Sequence, residues 1–206
     1  MYAHGMASAT PTDTPAGNKR VQAAARTREN LLQTGLALAE RLGLESLSVN
    51  AVVDAAGVSK GTFFHHFRDR VSYLVELHRR FHDVLFEEVG AAIRDMPRGR
   101  ERLAAGARAY LDGCLQHRGV KALLLESRGL LPLQEEVLRR NGMTVDLVAA
   151  DFAALGWPHP RAAGRLWIAA TAECAILELE QGGPDDAARA VLTSFTNPLP
   201  NGDGAR

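Results

Sequence analysis

The stretch AAGVSKGTFFHHF, Ala55 to Phe67, sets three phenylalanines and two histidines into positions 63–67, directly after a glycine turn. A buried core favours aliphatic residues and a solvated face favours charge, so a run of this kind has to serve two surfaces at once. Gly57 stands where a helix ends in the left-handed conformation that suits glycine, and Ser59 stands where a serine caps the next helix. Upstream, VNAVVDAA (49–56) reads as a short helix capped by Ser48. Downstream, Asp69 reads as the cap of a longer helix reaching Asp95, with Val71, Leu74, Leu77, Phe81, Val84, Leu85 and Val89 in one stripe.

The same periodicity extends outward. Leu31, Leu32, Leu36, Ala39 and Leu42 predict a helix from Thr27 to Leu42, ended by Gly43. Beyond MPRGR (96–100), Leu103, Ala107, Tyr110 and Cys114 predict another, followed by a short apolar block, ALLLE (122–126). Further helices are expected over Pro132–Gly156, with a break signalled at Asn141-Gly142, over Pro160–Gln181, and over Asp185–Phe195 after the turn GGPD (182–185). No strand-type alternation stands out, so the expected fold is all-α. Residues 1–18 and 198–206 read as tails, 19–70 as one domain and 71–197 as a second.

Composition narrows the function. The 206 residues carry zero formal net charge, yet residues 19–70 hold eight Lys or Arg against five acids, a surplus of three that suits local contact with a polyanion. Cys114 and Cys174 sit in apolar helical sequence rather than a spaced framework, which points to reduced thiols in a cytoplasmic protein. The first eighteen residues lack the charged and apolar regions of a signal peptide, and no run is apolar enough to span a membrane.

Two short helices joined by Ala56-Gly57-Val58-Ser59 and preceded by a longer one make a helix-turn-helix pattern. Phe63 and Phe67 lie four apart and share the face that packs on the first helix. Phe64 and His65 then point away and, with Lys60, Thr62 and His66, form an outer face on which Gly61 lets the backbone approach a phosphate or a thymine methyl. The run LSVNAVVDAAGVSKGTFFHHFRDRVSYLVEL, with RENLLQTGLALAERLGLE before it, resembles the DNA-binding domain of the tetracycline-repressor (TetR) family over residues 26–77. That resemblance implies recognition-helix contacts at Lys60, Gly61, Thr62, Phe64 and His65, and a base within reach of Asn50. It implies phosphate contacts at Ser48, His66 and Arg70, with Arg28 a further candidate of the same kind. Three positions depart from the family's habit: Phe64 stands for a tyrosine, Val53 for a small alanine, and Arg70 for a lysine, which keeps the charge and offers a fork.

For the second half the resemblance implies an architecture: a helical effector domain whose last two helices, 160–181 and 185–196, pair across a homodimer. Ala169, Ala170, Ala172 and Ala175 would allow close approach there. The expected partners are double-stranded operator DNA, a second copy of the chain and a small, mostly apolar effector, with no cofactor and no catalytic residue. Tyr110, Cys114, Phe152 and Trp167 are candidates to line the effector cavity, with His117, Glu126, Arg128 and Glu173 as orienting polar groups. Two alternatives stay open: a metal or redox sensor using His78 and His82 or Cys114 and His117, and a ligand-independent architectural DNA binder. An enzyme is disfavoured, because the chain has no phosphate loop, nucleophile elbow or zinc-ligand spacing.

Overall fold

The computed structural model describes residues 15–42, 47–118 and 129–197, and among them every regular element is a helix. In order these are α1 (Pro15–Leu42), α2 (Val49–Ala56), α3 (Lys60–His66), α4 (Arg70–Ile93), α5 (Arg100–Gln116), α6 (Leu131–Ala154), α7 (Pro160–Gln181) and α8 (Asp186–Ser194). Gly43, the block 122–126 and Arg128 lie outside the described residues, as do positions 1–14 and 198–206.

Two boundaries differ from expectation. Helix α1 begins at Pro15, so residues 15–18 are helical rather than tail. The reason is local: proline suits a first helical turn and the run that follows is rich in alanine and arginine. Residues 19–26 are exposed, so no apolar stripe announces this part of the helix. Helix α6 runs unbroken through Asn141-Gly142. A mid-helix glycine costs about 1 kcal/mol, but Leu133, Val145, Ala149 and Phe152 are buried on either side and hold both halves to one axis.

The first three helices surround Leu31, Leu38, Ala39, Val52, Val53, Phe63 and Phe67. Gly57, at φ 67°, turns the chain between α2 and α3, and the Val58 N–H closes the turn on Val53 O at 3.0 Å. Asn30 ties α1 to this turn, its Nδ2 donating to Ala56 O at 3.2 Å. The start of α4 then enters the same core. Tyr73 packs against Phe63 and Phe67, with ring centroids 5.1 and 4.9 Å away, and donates its hydroxyl to Leu31 O at 2.8 Å. Burial pushes the Tyr73 phenol up, so it stays a donor. This approach requires Gly35: a methyl there would overlap the Tyr73 hydroxyl.

Helix α4 continues past this core. Phe81 and Leu85 join Leu103, Leu111, Cys114, Phe152 and Trp167, so one continuous apolar core links the first three helices to the remainder. Around α4, helix α5 packs along its length, α6 and α7 form a closely packed pair, and α8 covers the end of α7. No helix among the described residues is long and apolar enough to cross a membrane.

Candidate functional site

Helix α3 divides its surface sharply. Phe63 and Phe67 are buried, while Lys60, Gly61, Phe64 and His65 are exposed and Thr62 and His66 are half-buried. Ser59 fixes the start, its Oγ accepting the Thr62 N–H at 3.1 Å and sharing a hydrogen bond with Thr62 Oγ1 at 3.0 Å. Phe64 meets Phe63 edge-on at 5.4 Å yet is 51% exposed, an unusual state for a phenylalanine with no neighbour on its outer side. A side chain at Gly61 would meet only Ser59 Oγ, at 3.6 Å, so nothing inside the protein demands glycine there. Burial holds the His66 imidazole below its ordinary pKa, with the positive fields of His65 and Arg28 adding to the effect.

The flanking candidates separate into two groups. Ser48 and Asn50 are exposed at the start of α2, where Ser48 Oγ accepts the Ala51 N–H at 3.1 Å. Arg70 reaches toward the same corner, one guanidinium nitrogen lying 3.5 Å from Leu47 O. Ser48 and Arg70, 22 positions apart in sequence, thus present a hydroxyl and a cation side by side. Arg28 is engaged inside the chain instead: it is ion-paired to Glu76 and lies over the Phe67 ring at 5.2 Å. It lies beside the end of α3, and its charge is committed to Glu76.

The second candidate region is a cavity of about 100 Å³ between α4, α5, α6 and α7. Of the expected lining residues, Tyr110 and Trp167 stand in its wall. Cys114 and Phe152 belong to the core behind it, and Glu173 is exposed on the outer side of α7. His117 sits at the end of α5 facing Glu40, 3.6 Å away, and the Phe81 ring, away from the cavity. Glu126 lies outside the described residues. The sequence reading missed Phe86 and Ile93, which with Val89, placed there in the single stripe, form a second apolar stripe on α4 and line the cavity. Their spacing of three and four was visible; it was absorbed into the assumption of a single buried face. Also missed were Arg102 and Asp151, an ion pair in the wall whose carboxylate is fully buried and accepts the Gly99 N–H at 3.0 Å.

Residues 31–76 match the family described as bacterial regulatory proteins, tetR family. The HTH-type transcriptional repressor KstR2 of Mycolicibacterium smegmatis is 34% identical over 62 residues, which is 30% of this chain and 30% of that protein's length. Over residues 31–76 the chain is therefore similar to the TetR family. Solved structures extend the likeness of fold over most of the molecule. A transcriptional regulator from Rhodococcus sp. Rha1 superposes with a TM-score of 0.71 at 21% identity, covering 82% of this chain and 93% of that one. A regulator from Saccharomonospora viridis in complex with choline gives 0.68 at 20% identity, covering 83% and 95%.

One expectation carried from the TetR resemblance needs correction. Ala175 is buried in the chain's own core and Ala172 lines the cavity, so neither forms an open seam of small residues. The outer face of α7 and α8 carries Leu166, Ala169, Leu177, Val191 and Phe195, all exposed. His78 is buried, and its ring lies tilted against that of His82 with centroids 4.2 Å apart. Among the described residues no group of three or more His, Cys, Asp or Glu could hold a metal ion, so the metal-sensing alternative finds no third ligand there.

Proposed function

We propose that the chain is a ligand-responsive transcriptional repressor that binds a palindromic DNA operator as a homodimer through Ser59–Phe67, and leaves it when a small, mostly apolar effector binds. The observation that carries this reading is the division of α3, where Lys60, Gly61, Phe64 and His65 share a bare outward face above a fully packed inner one. Lysine and histidine supply donors for base edges, phenylalanine supplies contact with a thymine methyl, and glycine permits close approach. Ser48 and Arg70 flank this face as phosphate contacts that set register without reading sequence. Arg28 is left out of that set because Glu76 holds it.

A seven-residue reading helix makes too few base contacts for useful specificity alone, which favours a symmetric pair on two half-sites. The exposed apolar face of α7 and α8 supports a dimer formed there. Such a regulator works in the cytoplasm, where bacterial DNA is.

Effector response is supported by the cavity and by what joins it to α1. Helix α4, 24 residues and about 36 Å long, starts beside the reading helix and ends in the cavity wall. Along it runs a chain of ion pairs: Arg28 to Glu76, Glu76 to Arg79 at 2.6 Å, Arg79 to Glu136 at 2.9 Å, and Glu136 to Arg140 at 3.0 Å. Arg140 lines the cavity and Arg28 covers Phe67 at the end of α3. A ligand that favours a tilted α4 would shift both ends together, and coupling of about 1–3 kcal/mol lowers DNA affinity roughly 5- to 150-fold. The S. viridis protein's complex with choline is a small-molecule precedent on the same fold.

The test is selection of bound DNA from a random pool, followed by affinity measurements on the selected site. Lys60→Ala and His65→Ala should relax base preference, each by about 1–3 kcal/mol. Arg70→Ala should weaken all sequences alike and reduce the salt slope by about one. Equal losses on selected and random DNA for all three variants would remove α3 as the reading element.

A further inference from the structure

We infer that the cavity between α4, α5, α6 and α7 takes an uncharged molecule of about one-ring size that carries a hydroxyl or another hydrogen-bond donor. The inference rests on the ligand-responsive reading above and adds the chemical class of the ligand.

Charge decides the first part. The two guanidiniums in the wall already have anions: Arg102 is paired with Asp151, and Arg140 lies 2.7 Å from Asp83 and 3.0 Å from Glu136. Asp151 is saturated in turn, since it also accepts the Gly99 N–H at 3.0 Å and has Arg98 at 3.8 Å. A ligand carboxylate would have to draw Arg102 away and leave a fully buried Asp151 without its counter-ion. A ligand ammonium would have to displace Arg102 from the same carboxylate. Both exchanges strip a buried charge of its partner, so each is opposed.

Hydrogen-bond direction decides the second part. Thr171 and Thr144 line the cavity, and each spends its single hydroxyl proton on its own helix, Thr171 Oγ1 on Trp167 O at 2.8 Å and Thr144 Oγ1 on Arg140 O at 3.0 Å. A hydroxyl has one proton and two lone pairs, so these side chains retain only acceptors for a guest. A guest with an O–H or N–H satisfies them. Size sets the third part, because about 100 Å³ is near the roughly 150 Å³ in which an apolar cavity holds benzene. Phe86, Leu103, Tyr110 and Trp167 supply apolar contact around it.

The experiment uses the full chain at pH 7 and four one-ring probes: benzyl alcohol, toluene, benzoate and benzylamine, followed by calorimetry and thermal shift. Benzyl alcohol should bind and raise the Tm, toluene should bind about tenfold more weakly, and benzoate and benzylamine should leave the Tm unchanged. Thr171→Val, which keeps shape and removes an acceptor, should lower benzyl alcohol affinity by several fold and leave toluene affinity as it was. Binding of benzoate or benzylamine as tight as that of the alcohol overturns the inference. So does an equal loss for alcohol and toluene in Thr171→Val, or no binding by any probe. Benzyl alcohol that binds as described yet leaves affinity for the selected operator unchanged supports this assignment of the cavity and overturns the ligand-responsive reading instead.

Discussion

Helices α1–α3 and the body from α4 to α8 differ in the polar groups they bury. In the first region every buried side chain among the described residues is apolar, and the polar bonds within it are exposed ones, among them caps reaching three residues along the chain, Ser48 to Ala51 and Ser59 to Thr62, and one longer tie, Asn30 to Ala56 O. Among the described residues the body buries three carboxylates, Glu136, Asp151 and Glu178, and each is held by an arginine from a different helix. Arg79 reaches Glu136 across 57 residues and Arg102 reaches Asp151 across 49. Arg189 of α8 bridges Glu178 on α7 and Asp112 on α5, the latter at 2.8 Å. Caps set where a short helix starts and stops, so they suit a small module that presents one face. Buried ion pairs fix how long helices sit against one another, and in a region that surrounds a cavity that alignment is what a ligand would have to alter.

If this contrast is right, breaking one buried pair costs far more than removing one cap. Asp151→Ala strands the Arg102 guanidinium and the Gly99 N–H, and stability to urea should fall by about 4 kcal/mol. A loss under about 1 kcal/mol would mean that water already reaches the pair and that α5 and α6 are aligned by apolar packing alone.

Acid should act next, and on the body. Burial raises the Glu136 carboxyl, but hydrogen bonds from Arg139, Arg79 and Arg140 outweigh it and hold the group well below its ordinary value of 4.5. The unfolded chain therefore binds this proton more tightly than the folded one. The stabilisation is complete above pH 4.5 and is lost as pH falls toward the depressed folded value, at up to about 1.4 kcal/mol per pH unit. Glu136→Gln should be less stable at pH 7 and should show a correspondingly flatter acid limb in urea titrations below pH 4.5. Parallel acid limbs for the two proteins would show that Glu136 is not the group being titrated.

The smallest effect belongs to the cap. Ser59→Ala removes the acceptor for the Thr62 N–H, which costs about 1 kcal/mol. Because the loss frays α3 rather than the body, DNA affinity should fall while ligand binding in the cavity stays unchanged. A cap variant that disturbed the cavity as much as Asp151→Ala would erase the distinction between the two regions.

Legibility in the sequence followed the same divide. Ser48, Gly57, Ser59 and Asp69 announce their roles by residue type and spacing, because a cap or a left-handed turn is decided within four residues. The burial of Phe63 and Phe67 beneath Phe64 and His65 follows from helical period in the same way. Arg28 is the exception on that side. It lies where a phosphate contact is expected, but Glu76 is 48 positions away and no local pattern reveals the pairing. In the body, period identified the helices but not their second faces. Cys114 and Phe152 are apolar and helical and turned to the core, whereas Phe86 and Thr171 turned to the cavity.

The sequence by itself determined that the chain is helical, that one short helix ends at Gly57 and the next is capped by Ser59, and which side of α3 faces out. These follow from backbone preference, capping and a period of 3.6 residues, all of them short-range. Only the tertiary structure decided which carboxylates are buried with which arginines, and that Ala172 and Ala175 face inward from α7. It also put a second face of α4 into a cavity wall, and there the physical reason is plain. A long helix surrounded by several others can bury more than one stripe, and how those neighbours are arranged depends on contacts between residues far apart in the chain.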